Sequence, residues 1–191
     1  MKLLFTGASG FLGSNVRPLL EGMYGVKTVG LSPKDDYTID IAKEIPVLRE
    51  RYDIVLHVAG KAHSVPKTEA ERQVFFDVNL QGTKNLCTAL ERRRVPRAFI
   101  FISTVAVYGC AYGENITEDH PLDGDTPYAM SKRLAEEYLQ KWCYEHNVIL
   151  GIIRPSLIAG PNPPGNLGAM IHGIRSGNTS ALLAVRHERV Y

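Results

Sequence analysis

Five short runs along the chain are apolar almost throughout: KLLFT (2–6), VKTVGL (26–31), DIVLHVA (53–59), AFIFIS (98–103) and VILGIIR (148–154). A strand with one wet face alternates apolar and polar residues. Runs without that alternation belong to strands buried on both faces, as in a parallel sheet covered by helices. The stretches between them carry helical spacing: FLGSNVRPLLEGM, IAKEIPVLRERY, Thr68 to Arg94, and Thr126 to His146. In TKNLCTALERRR, Leu86, Ala89 and Leu90 line one face and the charges fall on the other. Pro18, inside the first helical stretch, removes one backbone donor and predicts a bend there. Strand and helix alternating in this way predict an α/β domain built on a doubly wound parallel sheet with right-handed crossovers. The one shift in composition, GPNPPGNLG (160–168), reads as a loop or lobe boundary. We therefore divide the chain into a domain over 1–160 and the start of a further lobe over 161–191.

Charge narrows the partners. The formal net charge of +2 gives no electrostatic reason to expect nucleic acid or an anionic membrane. The basic cluster Arg92, Arg93, Arg94 and Arg97 falls where a helix should end, and there cations complement the helix dipole. Cys87, Cys110 and Cys143 show no CxxC spacing. They fit a reducing, cytoplasmic setting rather than a disulfide framework or a zinc site. We expect neither a signal peptide nor a membrane span, and no metal.

In a sheet of this kind ligands bind beyond the carboxyl ends of the strands, where the winding reverses. After the first strand comes TGASGFLG, with Gly7, Gly10 and Gly13 in GxxGxxG spacing between a buried strand and a helix. Gly7 permits a tight turn, Gly10 lets the backbone approach a pyrophosphate, and Gly13 lets the helix pack close on the sheet. The N–H groups of the helix start then face the phosphates. After the second strand, where many NAD-binding domains place an acidic residue, stands Ser32, followed by Lys34, Asp35 and Asp36. Serine with lysine suits a 2′-phosphate, whereas Asp35 or Asp36 looping back suits a free ribose, so both NAD and NADP stay open. Asp40 and Ile41 read as an adenine-side contact or, for Asp40, a helix cap. Ala59, Gly60 and Lys61 leave the third long strand as small residues able to lie against a pyrophosphate or ribose. His63 beside them reads as a loop histidine, since no second ligand stands at metal-site spacing. Asn79 interrupts an apolar helix face and reads as a buried polar residue bonding the backbone of a neighbouring strand. Ser103 and Thr104 close the fourth long strand. Tyr128 and Lys132, four apart, share one helix face that opens at Pro127.

Taken in order, TGASGFLG, AGKAH, NLQGT, ISTVAVYG, YAMSK and IIRPSLIAGP resemble the extended short-chain dehydrogenase/reductase superfamily in its nucleotide-sugar epimerase/dehydratase branch, from residue 1 to roughly 175. The resemblance implies a Rossmann fold, NAD as cofactor with NADP the alternative, and a nucleotide-diphosphate sugar as substrate; it admits a homodimer. It implies that Tyr128 is the catalytic acid/base, Lys132 its partner and a ligand of the nicotinamide ribose, and Thr104 the hydroxyl that bonds the reacting sugar oxygen. A close ammonium would favour the phenolate of Tyr128. Beyond the positions already named, it implies cofactor contacts from Ser9, Phe11, Leu12, Ile102, Pro155 and Leu157. Two departures bear on the reaction. Sugar 4,6-dehydratases carry Asp-Glu after the Thr104 position, where this chain has Val105 and Ala106, so elimination of water is disfavoured. Galactose-type epimerases place a substrate-binding asparagine at Leu157. Members of the family also continue well past residue 191, so we expect this chain to bind cofactor and to turn over sugar nucleotide poorly by itself. The expected reaction is NAD-dependent epimerisation; an NADP-dependent reductase and a non-catalytic dinucleotide-binding module are the alternatives.

Overall fold

The computed structural model describes residues 1–176 except 63, 111 and 164. Six strands form one sheet: β1 (Lys2–Thr6), β2 (Gly25–Gly30), β3 (Tyr37–Thr38), β4 (Ile54–His57), β5 (Ala98–Ile102) and β6 (Ile149–Ile153). Every pairing is parallel, in the order β3-β2-β1-β4-β5-β6. This is the doubly wound Rossmann arrangement expected from the apolar runs. Its winding reverses between β1 and β4, which places the ligand crevice beyond their carboxyl ends. The helices are α1 (Phe11–Glu21), α2 (Glu69–Phe76), α3 (Gly82–Arg93), α4 (Pro127–Glu145) and α5 (Gly165–Arg175). A π-helical turn, Asp77–Gln81, joins α2 to α3, and a 3-10 turn, Val105–Tyr108, follows β5. The chain falls into two compact units, Met1–Ser156 and the residues from Leu157 on, the second of which contains α5. No helix among the described residues is long and apolar enough to cross a membrane.

The uninterrupted apolar runs are explained by burial on both sides. Leu3 and Phe5 face the side of α1, against Leu20 and Tyr24, while Leu4 faces the opposite core with Val55, Phe99, Phe101, Leu86 and Leu139. Each such side chain contributes ~1.5–3 kcal/mol over an exposed one, so neither face of β1 can be given to water. The helix α1 continues through Pro18.

Residues 41–52 correct the expectation of a helix there. Asp40 caps only a turn, its carboxylate accepting from Ala42 N at 3.1 Å. Pro46 then lacks a donor and disfavours helical backbone at Ile45, and the segment continues irregularly. It is tied down by tyrosines instead. The Tyr37 hydroxyl meets that of buried Tyr52 at 2.8 Å and accepts from Arg49 N at 3.0 Å.

At the carboxyl end of the sheet, fully buried His57 bridges β1 and α3. The Thr83 hydroxyl spends its proton on the carbonyl of Asn79 at 2.6 Å. It must therefore accept from His57 Nε2, 2.9 Å away. Nδ1 is then an acceptor for the Thr6 hydroxyl at 2.6 Å, and Thr6 Oγ1 accepts in turn from Ala59 N at 3.1 Å. The bonding thus specifies a neutral ring with its proton on Nε2. Burial first, and the charge of Lys132 second, push the His57 pKa down from 6.5 to about 3.

This arrangement predicts an acid-labile fold. Between pH 6.5 and about 3 the unfolded chain protonates His57 and the folded one does not, so its contribution is complete above that window and is lost as pH falls through it. Urea midpoints measured across this range should fall less steeply for His57→Gln than for the wild type. Parallel acid dependences would remove His57 from the account.

Candidate active site

The glycine turn is built as its spacing requires. Gly7 has φ +75°, and a Cβ there would lie 2.5 Å from Ala59 N, so the exits of β1 and β4 touch at this point. A Cβ on Gly13 would lie 2.1 Å from Gly7 O, which forces the backbone of α1 against the turn. Gly10 differs: a Cβ there meets only Gly7 O, at 3.4 Å. Its surroundings are open, and no side chain caps α1, whose first turn carries no acidic residue. The leading N–H groups of a helix attract anions. Gly10, Phe11, Leu12 and Gly13 therefore present a cradle of the kind a pyrophosphate fits, with Ser9 on the turn before it.

Beyond β2, the structure separates the two aspartates. Asp36 turns back along the strand and accepts from Lys27 Nζ at 2.7 Å and Thr28 N at 2.9 Å. Asp35 instead returns to the strand end, accepting from Ser32 N at 3.0 Å, with one oxygen 2.5 Å from where a Cβ on Gly30 would stand. An acidic group therefore does occupy the carboxyl end of β2, donated from further along the chain. The Ser32 hydroxyl accepts from Lys34 N at 3.2 Å. Asp40 is engaged in its turn. Ile41 is buried against Gly82, and its carbonyl accepts from Asn85 at 2.7 Å.

Asn79 organises the next stretch. Buried in the π-helical turn, it accepts from Lys61 N at 2.8 Å and donates to Lys61 O at 3.1 Å, a two-way clamp on the exit of β4. The same amide nitrogen donates to Ser131 Oγ at 2.9 Å, and Ser131 donates to Tyr128 O at 2.8 Å. Ser131 is not visible as a site residue in the sequence, although its place between Tyr128 and Lys132 is a signal. A Cβ on Gly60 would stand 3.1 Å from Asn79 Oδ1 and 3.4 Å from Lys132 Nζ. These distances bring Gly60, Asn79 and Lys132 to one point. His63 lies outside the described residues.

Lys132 is almost fully buried; it donates to the carbonyl of Ile102 at 2.6 Å and sits 4.2 Å over the ring of Phe101. Burial brings its pKa down to about 7, against the attraction of Glu136. Thr104 accepts from Ala106 N at 3.2 Å, capping the 3-10 turn, and its hydroxyl lies close enough to Tyr128 to favour the phenolate. Burial raises the phenol of Tyr128 and the Thr104 hydroxyl lowers it, with a net upward shift. This modifies the sequence expectation, because the Lys132 ammonium is directed to Ile102 O and does not offset the burial of Tyr128. Ser103 Oγ is buried with no hydrogen-bond partner among the described residues. An orphaned hydroxyl costs about 1–3 kcal/mol, a cost that a polar ligand group at this strand end would offset. Pro155 O accepts from Val105 N at 3.1 Å, joining the chain after β6 to the turn after Thr104. Leu157 is exposed and opens the second unit.

Comparison with known proteins bears on the family and the fold. The NAD dependent epimerase/dehydratase family matches residues 3–186. The chain is 31% identical over 183 residues to the N-acetyl-alpha-D-glucosaminyl-diphospho-ditrans,octacis-undecaprenol 4-epimerase of Escherichia coli O157:H7, a match covering 92% of this chain and 54% of that protein. It is 35% identical over 113 residues to the dTDP-D-glucose 4,6-dehydratase of Homo sapiens, covering 59% of this chain and 32% of that one. Among solved structures, the Thermus thermophilus UDP-glucose 4-epimerase in complex with NAD superposes with a TM-score of 0.75 at 28% identity, over 90% of this chain and 61% of its own. The chain spans about half the length of the curated 4-epimerases it matches.

Gly10 and Gly13 should separate on substitution. Gly10→Val should fold, because its surroundings are open, yet lose NAD binding in a fluorescence titration. Gly13→Ala should instead lose stability, because its Cβ has only backbone to meet. Equal NAD affinity for wild type and a folded Gly10→Val would refute the cradle.

Proposed function

The chain belongs to the NAD-dependent epimerase/dehydratase family, and from that premise we propose that it carries the cofactor-binding and proton-transfer machinery of a nucleotide-sugar 4-epimerase. The observation that carries this reading is Thr104 beside Tyr128 just past β5, with Lys132 tied to Ile102 O at the end of that strand, while Val105 and Ala106 after Thr104 have no acid or base to offer. Epimerisation removes a proton from a sugar hydroxyl and returns it to the same oxygen, so one acid/base suffices. Elimination of water needs further proton donors and acceptors on the neighbouring carbons. Position 4 is the position named in the curated epimerase and dehydratase relatives.

Bound NAD would supply reversible hydride exchange at that carbon. Around it, Tyr128 takes up and returns the hydroxyl proton, held in place by the bond of Ser131 to its own carbonyl. Thr104 donates to the oxygen on which charge develops. Lys132 holds the ribose. Gly7, Gly10 and Gly13 with Ser9, Phe11 and Leu12 take the pyrophosphate; Ala59, Gly60, Lys61 and Asn79 take the adjoining ribose. Ile102 holds Lys132 through its carbonyl, and Ser103 offers its free hydroxyl. Asp35 at the end of β2 bonds the adenosine ribose, and its charge repels a 2′-phosphate, which favours NAD over NADP.

Two measurements test the proposal. Incubated with UDP-glucose or UDP-N-acetylglucosamine, the protein should yield the 4-epimer only slowly by proton NMR, with no net gain of reduced nicotinamide. Tyr128→Phe should lower that rate by ~10²–10⁴-fold. A keto-deoxy sugar, or stoichiometric reduced cofactor, would overturn the epimerase reading. For the cofactor, Asp35→Ala should weaken NAD by ~10–100-fold, the loss of a charge-assisted bond of about 1.5–3 kcal/mol, while NADP binding improves. An unchanged NAD-to-NADP ratio would remove Asp35 from the site.

A further inference from the structure

Along α4, Tyr128, Lys132 and Glu136 recur every four residues and so stack on one face. Glu136 is fully buried, a position carboxylates occupy only when paired. Its partner is Arg154, just past β6. Arg154 Nε reaches the two carboxylate oxygens at 3.1 and 3.2 Å, and Nη2 reaches Oε2 at 2.6 Å. The other arm, Nη1, donates to the Tyr108 hydroxyl at 2.9 Å and to Glu118 O at 3.0 Å, while the guanidinium carbon lies 5.1 Å over the Tyr108 ring. Tyr108 ends the 3-10 turn that Thr104 caps. One guanidinium therefore fastens together α4, the end of β6 and the turn after Thr104, the elements that carry or flank the reacting groups.

We infer that Glu136 is a positioning residue of this site: forked onto Arg154, it fixes α4 against the turn after Thr104, and one turn along the same buried face it stands as the counter-charge to Lys132. The inference rests on the reading of Lys132 as part of the cofactor site. Fastening alone does not explain a buried ion pair, because well-packed apolar residues of similar volume commonly hold a core equally well. The surroundings of Lys132 do explain it. The ammonium bonds one neutral carbonyl and lies over an apolar ring. From β4 it faces His57, which is neutral, and on its own helix Tyr128, whose phenol burial keeps protonated. Arg154, paired with Glu136, is cationic and offers Lys132 no attraction of its own. Glu136 is the group whose attraction opposes the burial of Lys132, which without it would lose its proton below the present value of about 7.

The test is a titration of the Lys132 ammonium by NMR in protein labelled at lysine nitrogen, with Lys132→Met to assign the signal. Wild type should show a midpoint near 7, and Glu136→Gln a lower midpoint, because the attraction that opposes burial is removed. NAD affinity near neutral pH should fall with it and recover as the pH is lowered. Where Glu136→Gln fails to fold, Glu136→Gln combined with Arg154→Met removes both charges and should shift the midpoint the same way by a smaller amount. A folded variant with the wild-type midpoint would overturn the inference, whatever its affinity for NAD. A lowered midpoint in a protein that binds no NAD at any pH would uphold the electrostatic role and overturn the cofactor reading instead.

Discussion

The neutral imidazole of His57 holds the carboxyl end of the sheet to its helices. From it, hydrogen bonds run through Thr6 to Ala59 N on one side, and through Thr83 to the Asn79 carbonyl on the other. Asn79 carries the path onward to both backbone groups of Lys61 and, through Ser131, to the carbonyl of Tyr128. Each hydroxyl on this path has one proton and one place to put it. A protonated ring would turn Nδ1 into a donor and leave the Thr6 proton without its acceptor. The orientation of the exit of β4 and the start of α4 thus depends on one tautomer. Buried networks satisfied at every atom confer this kind of rigidity, and partly satisfied ones lose it.

Burial acts on the two reacting side chains with opposite sign, because it disfavours whichever form is charged. It raises the phenol of Tyr128 and lowers the ammonium of Lys132. Left to burial alone, both would be neutral at mildly alkaline pH and neither would do electrostatic work. Charge has to be restored by specific neighbours. Glu136 opposes burial for Lys132, and the hydroxyl of Thr104 opposes it in part for Tyr128, whose net shift is still upward. The four-residue spacing of tyrosine and lysine puts them on one face of α4, yet spacing does not say where the lysine nitrogen goes. It goes to the carbonyl of Ile102 and the ring of Phe101.

What the chain discloses before folding follows the range of the interaction. The five long strands and three of the four expected helical stretches are legible because periodicity and burial on both faces are written into consecutive residues. The glycine turn is legible because its requirement is steric and local. Residues 41–52 are not, since their helical spacing is overridden by Pro46 and by the pairing of Tyr52 with Tyr37, two residues fifteen positions apart. The role of Asn79 as a buried clamp on a strand exit can be read from its break in an apolar face. The π-helical turn that aims it cannot, because a one-residue change of helical register leaves no mark in composition. Ser131 and Glu136 escape a reading of the sequence for a related reason: each looks like an ordinary helix residue until its partner from another element is known.

On the reading proposed for Asp35, the carboxyl end of β2 carries a ligand determinant written over several positions at once. Judged by the slot alone, Ser32 removes the acidic residue that favours NAD. The chain restores it by turning after Ser32, with Asp35 N donating to Ser32 O at 2.9 Å and Asp35 Oδ2 accepting from Ser32 N at 3.0 Å. That closure works only because residue 30 is glycine, since any Cβ there would stand 2.5 Å from the carboxylate oxygen. It also works because Asp36 is drawn the other way, by Lys27 and Thr28, which draws the turn tight. Gly30, Ser32, Asp35 and Lys27 therefore act as one unit. A larger residue at position 30 would expel the carboxylate while leaving Asp35 itself intact, and should impair NAD binding much as removal of Asp35 does.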